Sequence, residues 1–175
     1  MKLERSSSWR SRTDDVPLLL LVFSLSIRPF FRVEAQSYRL TMDETPSVEH
    51  IARHIANIQQ KYTQSGGVRP FGVSTFVLGF DAGEPRLFQT DPSGTFSEWK
   101  ANVVGRNSKA IREFLEKNYE DTEGRATQVL ALKALTEMVE PSSKNIDVAV
   151  ITKGQPTTYL TAEQVDAILK ELQED

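Results

Sequence analysis

The sequence contains no cysteine among its 175 residues. This absence excludes disulfide bonds, cysteine-ligated zinc sites and a cysteine nucleophile, and it is compatible with a reducing compartment. The chain also lacks an excess of positive charge, since 21 Lys and Arg residues are outnumbered by 24 Asp and Glu residues. The basic residues form no stripe with interleaved aromatic side chains. We therefore do not expect the chain to bind nucleic acid.

Long hydrophobic runs are also missing. The apolar stretch 18–27 covers ten residues, whereas about 20 are needed to span a bilayer. The composition changes shortly after this stretch, because residues 1–32 carry six basic and three acidic side chains, a net charge of +3. The total charge of −3 leaves −6 for the remaining residues. We place a boundary near Arg32 and expect no membrane contact.

Residues 1–31 are therefore predicted to be a leader unrelated to the rest of the chain. Such a leader would be disordered, or the product of an alternative start, a retained intron or a gene-model error. A signal peptide and a hydrophobic docking segment remain alternatives. Against the signal peptide, Asp14 and Asp15 stand directly before the apolar stretch, where a signal peptide carries positive charge.

Apolar periodicity and turn residues predict an α+β layered domain, because strands and helices come in runs rather than in strict alternation. Asp91, Pro92, Ser93 and Gly94 have the chemistry of a tight turn and should join two strands into a hairpin. Asn107 or Ser108 should cap the second helix, and Thr161 with Gln164 should form a capping box. The predicted helices cover 47–64, 107–119, 125–139 and 161–173, and the predicted strands cover 71–80, 86–90, 95–104, 146–152 and 157–160.

The strand 71–80 has apolar residues on both of its faces. Val73 and Val77 point one way, whereas Phe76, Leu78 and Phe80 point the other way. A strand of this kind is typically covered on both sides. We therefore expect it in the interior of the domain, and we also expect Trp99 in the core.

Two histidines are the most prominent candidates for chemistry. His50 and His54 are spaced i, i+4 on the first predicted helix, which is a spacing that can hold a metal ion. They lie beside the apolar stripe of that helix, and the sequence shows no acidic residue with ligand geometry near them. We interpret them as a solvated or interface pair. We expect no metal site, no cofactor and no catalytic residue.

Several stretches in this chain, in this order, resemble α-type subunits of the 20S proteasome core particle. The most specific is Gln89–Gly94 (QTDPSG), which is followed by Trp99-Lys100-Ala101. The others are 32–40 (RVEAQSYRL), 61–65 (KYTQS), 69–74 (RPFGVS), 105–106 (GR), 112–119 (REFLEKNY) and 144–146 (KNI). Each stretch alone is weak evidence, but together they identify residues 32–175 as similar to this family, most closely to the class called alpha type-7.

The resemblance implies a four-layer α/β/β/α sandwich of the N-terminal nucleophile hydrolase type. The sandwich would be incomplete, because the first strands of the family domain have no counterpart and residues 32–175 match its C-terminal two-thirds. The implied role is a non-catalytic subunit of the α ring in the cytoplasm and nucleus. Such a subunit takes part in ubiquitin-dependent protein degradation through ring assembly and control of substrate entry, without a cofactor.

The implied partners are neighbouring α subunits and subunits of the β ring. Regulatory particles would be reached only through the assembled ring. By resemblance, the segment 32–40 is the tail of a helix that contacts the β ring. Its candidate contact residues are Arg32, Glu34, Gln36 and Arg39, and the family-signature hairpin is Asp91, Pro92, Ser93 and Gly94.

Two other functions remain open at this point. One is a threonine-type peptidase, such as a β-type subunit or a related hydrolase. That chemistry needs a free threonine amine at a mature N-terminus, and no threonine in the sequence follows a recognisable processing site. The other is a truncated product without function.

Overall fold

The computed structural model describes residues 28–105, 107–120, 124–136 and 146–174. Within these ranges, the helices are too short or too polar to cross a bilayer. Helices and strands follow one another in runs, which confirms the predicted α+β class. The elements are α1 (Arg28–Met42), α2 (Val48–Gln64), β1 (Thr75–Asp81), β2 (Glu84–Thr90), β3 (Phe96–Glu98), α3 (Ser108–Asn118), α4 (Arg125–Thr136), β4 (Ala149–Val150), β5 (Thr158–Tyr159) and α5 (Ala162–Glu174).

The strands β1, β2 and β3 form an antiparallel sheet in that order. The β1–β2 turn consists of Ala82 and Gly83, whose φ angles of 50° and 90° are both positive. Two such residues make the turn that matches the right-handed twist of a hairpin. The predicted turn between β2 and β3 is present, since the Gly94 amide donates to the Asp91 carbonyl at 2.8 Å.

Helix α2 covers one face of this sheet. Ile51 and Ile55 are at most 1% exposed and pack against Val77 of β1 and Phe88 of β2. The side chain of Ser47 accepts a hydrogen bond from the His50 amide and so caps the helix. These observations confirm the apolar stripe and the helix start that the sequence predicts.

The opposite face of the sheet is only half-buried. Thr75, Val77 and Gly79 are buried on the α2 side of β1. Phe76 and Phe80 on the other side are half-buried. The strand was expected to be covered on both sides, and among the described residues only the α2 side has a helix packed closely against it.

A second apolar cluster joins α4, α5 and the segment before β4. It consists of Leu132, Ile146, Val165, Ile168 and Leu169. The predicted capping box opens α5, since the Thr161 amide donates to the Gln164 side chain at 2.9 Å and the Gln164 amide donates back to Thr161 Oγ1 at 3.4 Å. This part of the domain buries its own apolar stripe separately from the α2 core.

Several elements differ from the predictions. The strand predicted over 71–80 begins at Thr75. The strand predicted over 95–104 ends at Glu98, and beyond it the Asn102 side chain donates to the Gln89 side chain and accepts from the Val103 amide. Asn107 is the N-cap residue of α3, but its side chain makes no capping hydrogen bond.

The last two strands, β4 and β5, are two residues each, at 149–150 and 158–159. Helix α4 is described to Thr136, and the rest of the predicted helix lies outside the described residues.

The leader prediction is not tested by these residues. Helix α1 begins at Arg28, four residues before the predicted boundary at Arg32. Residues 1–27, which include the apolar stretch, lie outside the described residues. The assignment of 1–31 therefore stays a prediction.

We predict that Ile55→Ala lowers the free energy of unfolding by about 2–5 kcal/mol, because its fully buried side chain leaves a cavity between α2 and the sheet. Val68→Ala is the control, since Val68 is 47% exposed and should change stability by less than about 0.5 kcal/mol. Urea unfolding followed by circular dichroism measures both. Equal losses of stability in the two variants would contradict the placement of Ile55 in the core between α2 and the sheet.

Candidate functional site

Helix α1 lies on α2 with one face and exposes the other. Ala35 is buried in the α2 core, and Phe31 packs against the same cluster. On the outer face, Val33 is 69% exposed and Leu40 is 89% exposed. Apolar side chains left together on one face of a helix indicate an interaction surface. We call the residues Arg32, Val33, Gln36 and Leu40 the α1 outer face.

The structure separates the four predicted contact residues. Arg32 and Gln36 are exposed and belong to the α1 outer face. Arg39 is half-buried. Glu34 is also half-buried, and its carboxylate lies against α2 rather than on the outer face. The sequence gives no signal for this division, because it depends on how α1 is rotated against α2.

Glu34 and the two histidines form one cluster. Glu34 Oε1 lies 3.0 Å from His50 Nε2, and Glu34 Oε2 lies 3.4 Å from His54 Nδ1. The ring of Tyr38 packs on His50 with 4.6 Å between the ring centroids. The sequence showed no acidic residue with ligand geometry near the histidines, and it gave no sign that Glu34 of the preceding helix lies beside both of them. The cluster joins α1 to α2 through polar contacts.

Across the residues that the structure describes, no three His, Cys, Asp or Glu side chains are grouped so as to hold a metal ion. The Glu34 carboxylate is hydrogen-bonded to His50 and lies within ion-pair distance of His54. The cluster therefore positions α1 on α2.

The family-signature hairpin is packed against α2. A side chain at Gly94 would bring a Cβ atom to 2.5 Å from Gln60 Cβ and 3.0 Å from the Ala56 carbonyl oxygen. Asp91 Oδ1 accepts hydrogen bonds from Ser74 Oγ at 2.6 Å and Gln89 Nε2 at 2.9 Å. Pro92 and Ser93 complete the turn, where Ser93 bonds to the Thr95 hydroxyl. These contacts fix the hairpin to the helix layer.

The buried threonine hydroxyls do not form a nucleophile site. Thr75 and Thr90 are opposite one another in β1 and β2, and their Oγ1 atoms are buried without a partner. Both residues lie within strands, so their nitrogens are peptide amides and cannot act as the base that threonine peptidases use. The arrangement around these two residues supports structure rather than catalysis.

Arg86 of β2 and Glu98 of β3 form an exposed ion pair. The Arg86 guanidinium donates to Glu98 across β2 and β3 at 2.5 Å. This hydrogen bond and the charge of Glu98 raise the pKa of Arg86 above its ordinary value. The pair is exposed and already charged at neutral pH, so it contributes little to stability.

We predict that Glu34→Ala loosens α1, because it removes the hydrogen-bond partner of His50 and the carboxylate beside His54, at a cost of about 1 kcal/mol. Gln36→Ala is the control on the exposed side of the same helix. Hydrogen exchange of the α1 amides measures the effect, and Glu34→Ala should exchange several-fold faster. Equal rates in both variants would show that the cluster does not hold the helix.

Comparison with known proteins agrees with the resemblance of the sequence. A family model described as "Proteasome subunit" matches residues 25–151. Proteasome subunit alpha type-7 of Cicer arietinum is 58% identical over 144 residues, which is 81% of this chain and 58% of that protein. The same subunit of Dictyostelium discoideum is 54% identical over 138 residues, which is 78% of this chain and 55% of that protein.

The alpha type-7-A subunit of Arabidopsis thaliana is similar to the same extent, at 56% identity over 145 residues, 81% of this chain and 58% of that protein. The chain thus spans a little over half the length of the curated relatives it matches. The family match covers most of this chain and agrees with the mixed helix and strand content of its fold. The chain belongs to the proteasome subunit family.

Proposed function

We propose that this chain serves as a non-catalytic α-type subunit of the 20S proteasome core. The observation that carries the proposal is the identity of 58% to an alpha type-7 subunit over 81% of the chain. The exposed apolar face of α1 supports it, since a subunit whose function is assembly needs surface to bury. The strand positions of Thr75 and Thr90 also favour a structural role over a peptidase.

The α1 outer face is the proposed contact with the β ring. Val33 and Leu40 would be buried on assembly, and each buried side chain of this size is worth about 1.5–3 kcal/mol. Arg32 and Gln36 flank them as polar contacts, and Arg39 would lie at the edge. Glu34 acts indirectly in this proposal, because its contacts to His50 and His54 set the position of the helix.

The remaining parts of the proposal follow from membership of such a ring. The chain would pack laterally on neighbouring α subunits and stack on β subunits, in the cytoplasm and nucleus. The ring would restrict entry to the proteolytic chamber in ubiquitin-dependent degradation, and regulatory particles would meet the chain only through the ring. Residues 32–175 would supply this family domain, with 1–31 as an attached leader.

Density-gradient sedimentation of a lysate tests the proposed function. A tagged copy of the full chain is expressed in its cells of origin, and the tag is followed together with peptidase activity. We expect the tag to sediment with the large active particle. A tag found only at the top of the gradient or in aggregates would contradict the proposal, and peptidase activity of the purified chain alone would favour the threonine peptidase.

We predict that the double substitution Val33→Asp and Leu40→Asp lowers the share of tag in the large particle at least about tenfold, because two carboxylates would have to be desolvated in the contact. Val68→Asp combined with Val104→Asp is the matched control, since it places the same two charges on exposed valines outside α1. Quantitative blotting of the gradient fractions measures both. If the double variant entered the large particle as well as the unchanged chain does, the proposed contact through the α1 outer face would be wrong.

A further inference from the structure

A polar cavity of about 170 Å³ lies between the β2–β3 hairpin and α3. Phe88 of β2 packs in the α2 core, so its neighbour Gln89 points to the opposite face of the sheet. Ser97 is the register partner of Gln89 on β3 and shares this face. The lining residues are Gln89, Asp91, Ser97, Trp99 and Arg112. The cavity is therefore separate from the α1 outer face.

Arg112 is the cation of this cavity. Its guanidinium carbon lies 5.6 Å from the centre of the Trp99 ring, and such stacking holds the guanidinium plane in place. The Nε atom of Arg112 is buried and has no hydrogen-bond partner. Among the described residues, no carboxylate forms an ion pair with Arg112. Since Nε is enclosed by the chain, an acceptor from outside would meet the terminal nitrogens of the guanidinium, which have no hydrogen-bond acceptor among the described residues.

Two other polar residues of the lining, Asp91 and Gln89, are already hydrogen-bonded within the chain. Asp91 Oδ1 accepts from Ser74 and Gln89. The carbonyl oxygen of the Gln89 side chain accepts from Asn102. Hydrogen bonds within the chain thus hold the hairpin side of the cavity, whereas Arg112 retains unused donors on the α3 side. Trp99, which the sequence analysis expected in the core, is 38% exposed and forms the platform for Arg112.

We propose that this cavity binds a carboxylate from another polypeptide, which contacts the end of the Arg112 guanidinium. A carboxylate in that position accepts from the two terminal nitrogens of the guanidinium, and this fork is a geometry that arginine offers to planar anions. The cavity volume admits a group the size of one side chain. The negative charge of Asp91 keeps the carboxylate on the Arg112 side and selects against a second anionic group.

The test is a nuclear magnetic resonance titration of the ¹⁵N-labelled full chain with small blocked amino acids. N-acetylglutamate N-methylamide represents an acidic side chain, and N-acetylglycine represents a C-terminal carboxylate. The matched control is N-acetylglutamine N-methylamide, which has nearly the same shape as the glutamate compound without its charge. The readouts are the Arg112 Nε–H and Trp99 indole N–H resonances. We expect saturable shifts with at least one carboxylate and at least about tenfold weaker binding of the amide.

Substitutions at two lining residues distinguish the fork from charge alone. Arg112→Lys keeps the positive charge without the planar fork and should weaken carboxylate binding at least about fivefold, as followed at the Trp99 indole. Asp91→Asn keeps an Oδ1 acceptor for Ser74 and Gln89 and removes the like charge, so it should tighten carboxylate binding. Equal binding of carboxylate and amide, or the absence of a saturable shift at Arg112 and Trp99, would overturn the proposal.

The carboxylate compound that binds more tightly identifies the source of the bound group. Tighter binding of N-acetylglutamate N-methylamide indicates an acidic side chain, and tighter binding of N-acetylglycine indicates a chain terminus. The titration needs no ring and no other subunit. Its outcome is therefore independent of the sedimentation experiment that tests the proposed function.

Discussion

The contact between α2 and the β1–β2 pair is the constraint on which the surrounding structure depends. Ile51 and Ile55 are almost completely excluded from solvent by Val77 and Phe88. The carboxylate of Asp81, at the end of β1, accepts from the Val48 amide at 2.9 and 3.1 Å and so ties the start of α2 to the sheet. Apolar burial sets the distance between the two layers, and this polar contact sets where the helix starts along the strand.

Two further elements take their positions from α2. The β2–β3 hairpin approaches the helix so closely at Gly94 that a side chain would overlap Gln60. Helix α1 packs on the other side through Ala35 and through the contacts of Glu34 with His50 and His54. Since these polar contacts use one side of α1, Val33 and Leu40 are turned outward. The outward position of these apolar side chains is thus a consequence of the contacts that hold the opposite side of α1 on α2.

The described surface fits a protein that works through contacts with other polypeptides. The threonine hydroxyls in β1 and β2 are buried within strands, and the polar side chains near the hairpin mostly satisfy one another. Arg112 is the exception in that region, because its guanidinium is held by Trp99 while its Nε keeps an unused donor. The two proposed contacts therefore lie on separate surfaces around the buried α2 core.

The sequence by itself determined the local structure and the family. The stripe of α2, the capping box of Thr161 and Gln164 and the turn at 91–94 are each set by residues a few positions apart, so periodicity and turn chemistry predicted them. The tertiary structure alone decided which side chains meet across elements. It placed Glu34 beside the histidines, brought Trp99 under Arg112 and ended β3 at Glu98. These outcomes depend on the rotation and distance of elements far apart in the chain, and such geometry leaves no periodic trace in the sequence.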